Sequence, residues 1–429
     1  MERTDMMFDA QADLQEASEP TGPLRGLRIV DLTTVLMGPY GTQILGDMGA
    51  DVIKVEGPDG DLVRLIGPAR HAGMGALFIN TNRSKRSLAI DLKQEEGRSA
   101  LLRLAAGADV FVYNVRPQAM MRLGLSYEAL AAVNPRIIYA GMFGYSQNGP
   151  YADRPAYDDL MQGASTLAAM FSRSTGGPPQ YVPAAIADRI TGLAAVNAIL
   201  AAVIERNVSG KGQRIDIPMF ETMVNFVLSD HMGGLSYDPP LDAGGYQRLL
   251  SRSRRPYKTL DGYVCAMVYT DRQWRSFYRV LGREAELDAD ARFATLSTRS
   301  QHIDAIYAEL ERTLATRTTA QWLQCLGEID IPAVPVHDLQ SIFHDPHLAA
   351  THYFGLEQHP TEGPLRTMRH PGTWSRTQPA AHRFTPRHGE HSVQVLKEAG
   401  LSDAQIDDLI ARKIIVSAEQ TAELPGETS

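Results

Sequence analysis

Short β-type runs alternate with helical stretches from residue 27 to residue 143, and this alternation limits the possible folds more than any other feature of the chain. Leu27-Arg28-Ile29-Val30-Asp31-Leu32 is a strand run. The Gly38-Pro39 punctuation leads into a helical stretch from Tyr40 to Met48, and Asp51-Val52-Ile53-Lys54-Val55-Glu56 is a second strand run. Gly57-Pro58-Asp59-Gly60 then turns the chain. The unit recurs, with strands at 87–92, 110–114 and 136–143 and helices at 94–106 and 126–133. Strands joined by helix-length crossovers pair in parallel, so the sequence predicts an α/β fold with a mostly parallel sheet covered by helices on both faces. No G-x-G-x-x-G follows the first strand. The nicotinamide dehydrogenase that periodicity alone suggests therefore lacks its phosphate-binding fingerprint.

Residues 184–206 read as a long, largely apolar helix whose internal Gly192 permits close packing. Ser209-Gly210-Lys211-Gly212-Gln213 ends it, and a strand (214–219) and a helix (220–232) follow. The character changes near residue 233. Two Gly-Gly pairs, Pro239-Pro240 and four arginines after Gln247 mark 233–256 as a loop-rich connector, exposed or facing a ligand. A second α/β region follows, with a strand at 263–268 and helices at 271–281, 303–315 and 319–327. The expected organisation is a mobile leader (1–20), the first part of a large domain (21–229), a smaller domain (230–330) and a return segment (331–429). The last helix begins at Ser402, where Gln405 completes a capping box.

At 429 residues the chain suits two or three domains. A formal net charge of -8 and scattered Lys and Arg exclude a nucleic-acid footprint. The local clusters Arg83, Lys85, Arg86 and Arg252, Arg254, Arg255 read either as solvated faces or as pockets for a phosphorylated ligand. Cys265 and Cys325 are too few for a disulfide framework or a metal cluster, which fits a reducing cytoplasm. No run of about 18 apolar residues is present, so no membrane span is expected. The N-terminus lacks the regions of a secretory signal. His344 with His347, and His388 with His391, lie three apart in loop-rich sequence outside any H-E-x-x-H frame, so no metal site is expected.

Several blocks stand in a fixed order. They are Pro23-Leu24-Arg25-Gly26, Asp31-Leu32-Thr33, Gly38-Pro39, the run from Leu45 to Glu56, Lys85-Arg86-Ser87 and Asp91-Leu92-Lys93. Asn114, Arg116-Pro117, Arg122-Leu123-Gly124-Leu125, Ala187-Asp188 with Gly192, and Gly210-Lys211-Gly212-Gln213 continue the series, with Asp345-Pro346 and Gly389-Glu390-His391 near the end. Together they resemble the family III CoA-transferases, the CaiB/BaiF group, over about residues 22–415.

The resemblance implies an acyl-CoA:carboxylate CoA-transferase with a Rossmann-like large domain built from both chain ends, a smaller domain between, and two interlocked chains in a homodimer. Asp188 takes the place of the nucleophile, which attacks the thioester and forms an aspartyl acyl-anhydride while CoA leaves as thiolate. An acid in the first turn of a helix is also a common structural feature. In the functional reading, the helix start keeps Asp188 ionised. CoA contacts fall by resemblance on Leu36, Met37, Gly57, Ile90, Asp91, Lys93, Asn114, Val115, Arg116, Arg122, Arg154 and Tyr157. Coenzyme A and acyl-CoA are substrates, a carboxylic acid is the acceptor, and no permanently bound cofactor, nucleic acid or membrane is implied. The chain departs from formyl-CoA transferases in having Leu36 where they have Gln and in lacking a glycine-rich loop. In the racemases of the family a His serves as base where this chain has Tyr157, a poor base at neutral pH, with Asp158 beside it. An α-methylacyl-CoA racemase or epimerase, and a non-catalytic CoA-binding protein, are the alternatives. Arg252, Arg254 or Arg255 are candidates to hold a second carboxylate of a dicarboxylic substrate.

Overall fold

The computed structural model describes residues 20–417; the expected leader lies almost wholly outside them. Six parallel strands form the main sheet: β1 (Arg28–Leu32), β2 (Asp51–Glu56), β3 (Lys85–Ile90), β4 (Val110–Tyr113), β5 (Ile138–Phe143) and β6 (Gln213–Pro218). Their order is β3-β2-β1-β4-β5-β6, and the short strand Ile415–Val416 adds antiparallel to β3. The α/β expectation holds. The five strands β1 to β5 are almost entirely buried, as the continuous apolar runs require of a sheet covered on both faces. Val30, Ile53, Leu88, Phe111 and Tyr139 share one core with Leu101 from the helix Glu95–Ala106 and with Leu396, Ile406 and Ile415 from the return segment.

Three helices position the site: α1 (Met37–Asp47), α2 (Asp158–Ala164) and α3 (Ile186–Ser209). Gly192 lets α3 close on α1 as its sequence position suggested. A Cβ built on Gly192 would lie 2.9 Å from the Met37 carbonyl oxygen, and one on Gly41 would lie 3.0 Å from the Gly192 carbonyl. One expectation is corrected here. By length and composition α3 would suffice to cross a membrane, with 39% of its most apolar window buried. Ala195, Val196, Ile199 and Ala202 are buried, and Gly192 lies against α1, so α3 serves as a core helix.

The chain divides into two compact units. Among the described residues, one gathers 20–161, Ala184–Met223 and 347–417; the other gathers Gln162–Pro183 and Val224–Pro346. The sequence set the smaller body at 230–330. The second unit has its own three-stranded sheet (Tyr257–Lys258, Tyr263–Ala266, Ala333–Pro335) and a core of Trp274, Phe277, Ile306, Leu310 and Trp322. Its helices start on capping boxes at Thr270 and Thr318, and Ser402 caps the last helix of the first unit with Gln405 as read.

The basic residues at 83–86 are neither a solvated face nor a phosphate pocket. Lys85 and Arg86 point inward: Lys85 pairs with Asp31 at 3.1 Å, and Arg86 with Asp51 at 2.6 Å and Glu398 at 2.8 Å. Lys54 pairs with Asp61 at 2.8 Å, both fully buried, and Arg64 grips Glu56 with two bonds of 2.7 Å. Removing one member of such a pair leaves the other buried and unpaired, at a cost of about 3–5 kcal/mol. Asp31→Ala should lose that much in urea unfolding, whereas Glu311→Ala, which breaks the surface pair with Arg255, should lose under about 1 kcal/mol. Equal losses would show that the buried pair has no special weight.

Candidate active site

The strand order reverses between β1 and β4, the position outside the carboxyl edge at which open α/β sheets bind ligands. Asn114, just past β4, bridges to the loop after β1. Its Oδ1 accepts from the Thr34 N–H at 3.1 Å and its Nδ2 donates to the Thr34 carbonyl at 2.9 Å. Val35 sits at φ +70°, and its N–H donates to the Asp61 carboxylate at 3.2 Å, which Lys54 holds from below. Leu36 and Met37 follow at once, Leu36 as the uncapped residue before α1. The structure therefore brings Leu36, Met37 and Asn114, with Val115 and Arg116, to one loop cluster.

The other predicted contacts follow neighbouring strands. Gly57 succeeds β2, and its carbonyl accepts from His388 Nε2 at 2.9 Å. Ile90 ends β3; Asp91 then accepts from the Lys93 N–H at 2.8 Å, a side-chain turn that presents Lys93 outward. Arg116 precedes and Arg122 ends the short helix Pro117–Arg122, and Arg154 lies 3.9 Å from the Tyr151 ring in the loop after β5. Lys93, Arg116, Arg122 and Arg154 are all exposed, a rim of cations of the kind that pairs with phosphate oxygens.

Asp188 is the third residue of α3 and half-buried. Ala185, the residue before the helix, offers no side-chain cap. Asp158, the first residue of α2, supplies one instead: its Oδ1 accepts from the Asp188 N–H at 3.0 Å. That service sets two carboxylates side by side. Burial, and then the charge of Asp158, push the Asp188 carboxyl up to about 6, against the pull of Arg189. The helix start is expected to keep Asp188 ionised; burial and Asp158 work against it, and most of it is still charged at neutral pH. Arg189 lies 4.4 Å from the Tyr40 ring on α1. With Gly192 on the Met37 carbonyl, the Asp188 end of α3 rests on the first turn of α1. Tyr157 projects outward, 69% exposed, and Asp158 spends an oxygen on the helix cap.

Elsewhere the expectations divide. Arg255 is paired with Glu311 at 2.9 Å, and Arg252 lies against Gly176. The Gly233–Gly234 and Gly244–Gly245 pairs close a loop around Asp242, whose carboxylate accepts from the Gly234 and Gly244 N–H groups at 2.9 and 2.7 Å. His391 accepts from the Ser87 N–H at 3.3 Å, and among the described residues no group of three ligating side chains is placed to hold a metal. Sequence reading missed Asp61 and Lys54 as supports of the β1 loop. It weighed Asp158 only as a base, because a cap supplied from 30 residues away has no local signature.

The family model for CoA-transferase family III matches residues 24–392. An acyl-CoA transferase of Fusarium pseudograminearum is 34% identical over 403 residues, covering 91% of this chain and 88% of that protein. A succinate–glutarate CoA-transferase of Agrobacterium fabrum is 35% identical over 393 residues, covering 88% and 95%. The crystal structure of a CaiB/BaiF family protein from Brucella suis superimposes with a TM-score of 0.74 at 33% identity, covering 88% of this chain and all of that one.

In a carboxyl-carbon NMR titration, Asp188 should titrate near pH 6. Asp158→Asn keeps an oxygen for the Asp188 N–H and removes the charge, so it should move the midpoint down. An unmoved midpoint would rule out the charge of Asp158 as a cause.

Proposed function

The chain belongs to CoA-transferase family III, and on that premise we propose that it moves CoA from an acyl-CoA to a free carboxylic acid through a covalent intermediate on Asp188. The observation that carries this reading is the placement of Asp188: a half-buried carboxylate beginning a helix whose next turn is seated on the Met37 carbonyl, in the helix that follows β1.

In the reaction, an Asp188 oxygen attacks the thioester carbonyl. The C–S bond breaks, CoA leaves as thiolate, and a mixed anhydride remains. An acceptor carboxylate attacks the Asp188 carbonyl of that anhydride and expels the donor acid. The thiolate then attacks the acceptor's carbonyl, which gives the new thioester and frees Asp188. No proton is gained or lost. The thiolate stays close throughout, held by its own CoA on Leu36, Met37, Gly57, Ile90, Asp91, Lys93, Asn114, Val115, Arg116, Arg122, Arg154 and Tyr157. A nucleophile with a raised pKa is a more basic and stronger one, and at pH 7 it is still available as carboxylate. The named activity of the Agrobacterium relative supports dicarboxylic acids, succinate and glutarate first, as the substrate class. CoA enters and leaves as substrate, and no permanently bound cofactor has a part in this scheme.

We also place the working form as a homodimer of interlocked chains. Leu193, Ala201, Ile204 and Val208 form an exposed stripe along α3, and a second copy would cover it. The free Cys265 and Cys325 fit a reducing cytoplasm.

Incubation with succinyl-CoA followed by hydroxylamine should leave a hydroxamate on Asp188, read by peptide mass spectrometry and absent from Asp188→Ala. No adduct from a protein that turns over would sink the covalent route. Sedimentation should find a dimer, with Ile204→Glu combined with Val208→Glu shifting it toward monomer. An unshifted double variant would remove this stripe from the interface.

A further inference from the structure

The neighbour of the proposed nucleophile is a cation, and its charge acts on Asp188 itself. Arg189 is half-buried on the first turn of α3, and its guanidinium lies 4.4 Å from the face of Tyr40. Among the described residues it forms no ion pair, unlike Arg64, Arg83, Arg86, Arg206 and Arg255, each of which holds a carboxylate. A guanidinium over an aromatic ring is held by cation–π attraction, which uses none of its N–H donors as hydrogen bonds. Tyr40 is one turn along α1 from Leu36, whose carbonyl accepts from the Tyr40 N–H at 2.9 Å. Tyr40 therefore holds Arg189 against the first turn of α1, the turn that follows that loop.

The proposed reaction sets an electrostatic problem at this point. A free carboxylate must approach a centre that already holds Asp158 and a CoA thiolate, both negative. A fixed fork of donors beside Asp188 answers it, because guanidinium and carboxylate match in bidentate geometry.

We propose that Arg189, held over the Tyr40 ring, binds the reacting carboxylate of the acceptor acid and aligns it with the acyl-enzyme carbonyl. This inference rests on the covalent reading of Asp188 and names the group that recruits the second substrate. The same contact serves the donor acid as it leaves. Arg189 thereby selects for the carboxylate that both acids share and is indifferent to the rest of the chain, so monocarboxylic and dicarboxylic acceptors depend on it alike.

The test is steady-state kinetics with succinyl-CoA as donor and glutarate or butyrate as acceptor, on the full-length protein. Arg189→Gln should raise the KM for both acceptors by at least about tenfold, the usual order for loss of a charged hydrogen-bonding partner. The KM for succinyl-CoA should rise far less. Arg189→Lys should recover part of the loss, since it restores the charge without the fork. Tyr40→Leu, which removes the platform and keeps the arginine, should raise the acceptor KM in the same direction by a smaller factor, and it carries the test if Arg189→Gln does not fold. An equal rise in both KM values would assign Arg189 to CoA and overturn the proposal. So would a loss confined to glutarate, which would mean that Arg189 reads a remote carboxylate, and so would acceptor KM values that do not move. Hydroxylamine trapping on the wild type separates the two layers: no hydroxamate on Asp188 breaks the covalent reading, whereas hydroxamate with unchanged acceptor KM in the variants breaks only the role of Arg189.

Discussion

Lys54 and Asp61 form a fully buried ion pair, and the candidate site depends on it. Lys54 also donates to the Thr33 carbonyl at 2.9 Å, and Asp61 accepts from the Val35 N–H. The loop between β1 and α1 is thus pinned from both sides by charges that have no water to turn to. Around this pair the network widens. Asp31 binds Lys85 and accepts from Thr42 at 2.6 Å, while Glu56 accepts from Arg64, from the Asp61 N–H and from Ser87. Desolvation of so many charges is expensive, and only complete pairing makes it tolerable. The carboxylates Asp31 and Glu56 are held below their usual range by the cations facing them, and Lys85 is brought down to about 8 by its burial. Such an arrangement has one good geometry and many bad ones, which suits a segment that must hold its shape for a ligand.

Asp188 shows the opposite use of charge. There the structure withholds compensation: burial and Asp158 oppose ionisation, and Arg189 relieves them only in part. The contrast fits the role proposed for Asp188. A structural carboxylate gains from being stabilised, whereas a nucleophile loses reactivity for each bond that stabilises its charge. The same helix start that carries Asp188 obtains its cap from Asp158 on α2, so one side chain ends the helix and unsettles its neighbour.

Much of the fold was legible because parallel buried strands read as unbroken apolar runs. Val52-Ile53-Lys54-Val55 was recognised as a strand despite its lysine, and β1 to β5 lie within a residue or two of the positions read from the sequence. Illegible were interactions whose partners are distant along the chain. Lys85-Arg86 resembled a basic patch because Asp31, Asp51 and Glu398 are 54, 35 and 312 residues away. The support that Asp158 gives to α3 was hidden for the same reason. The inclusion of 162–183 in the second unit had no compositional marker, since the chain leaves the first unit in the middle of α2. The loop cluster at the strand reversal was found through resemblance, and Asn114 shows why it belongs there: only a side chain with both a donor and an acceptor can bridge the two groups of Thr34.

The contact between Gly192 and Met37 is made by backbone alone. Side chains at an ordinary helix seam can change rotamer and let the seam slip or adjust; here the closest approach is backbone to backbone, with the Tyr40 ring beside it. The helix that carries Asp188 and the turn that begins α1 are therefore fixed to each other like two edges of one casting. Diversity in what the enzyme accepts must arise away from this seam, and any opening that admits substrate must be made by segments that do not share it.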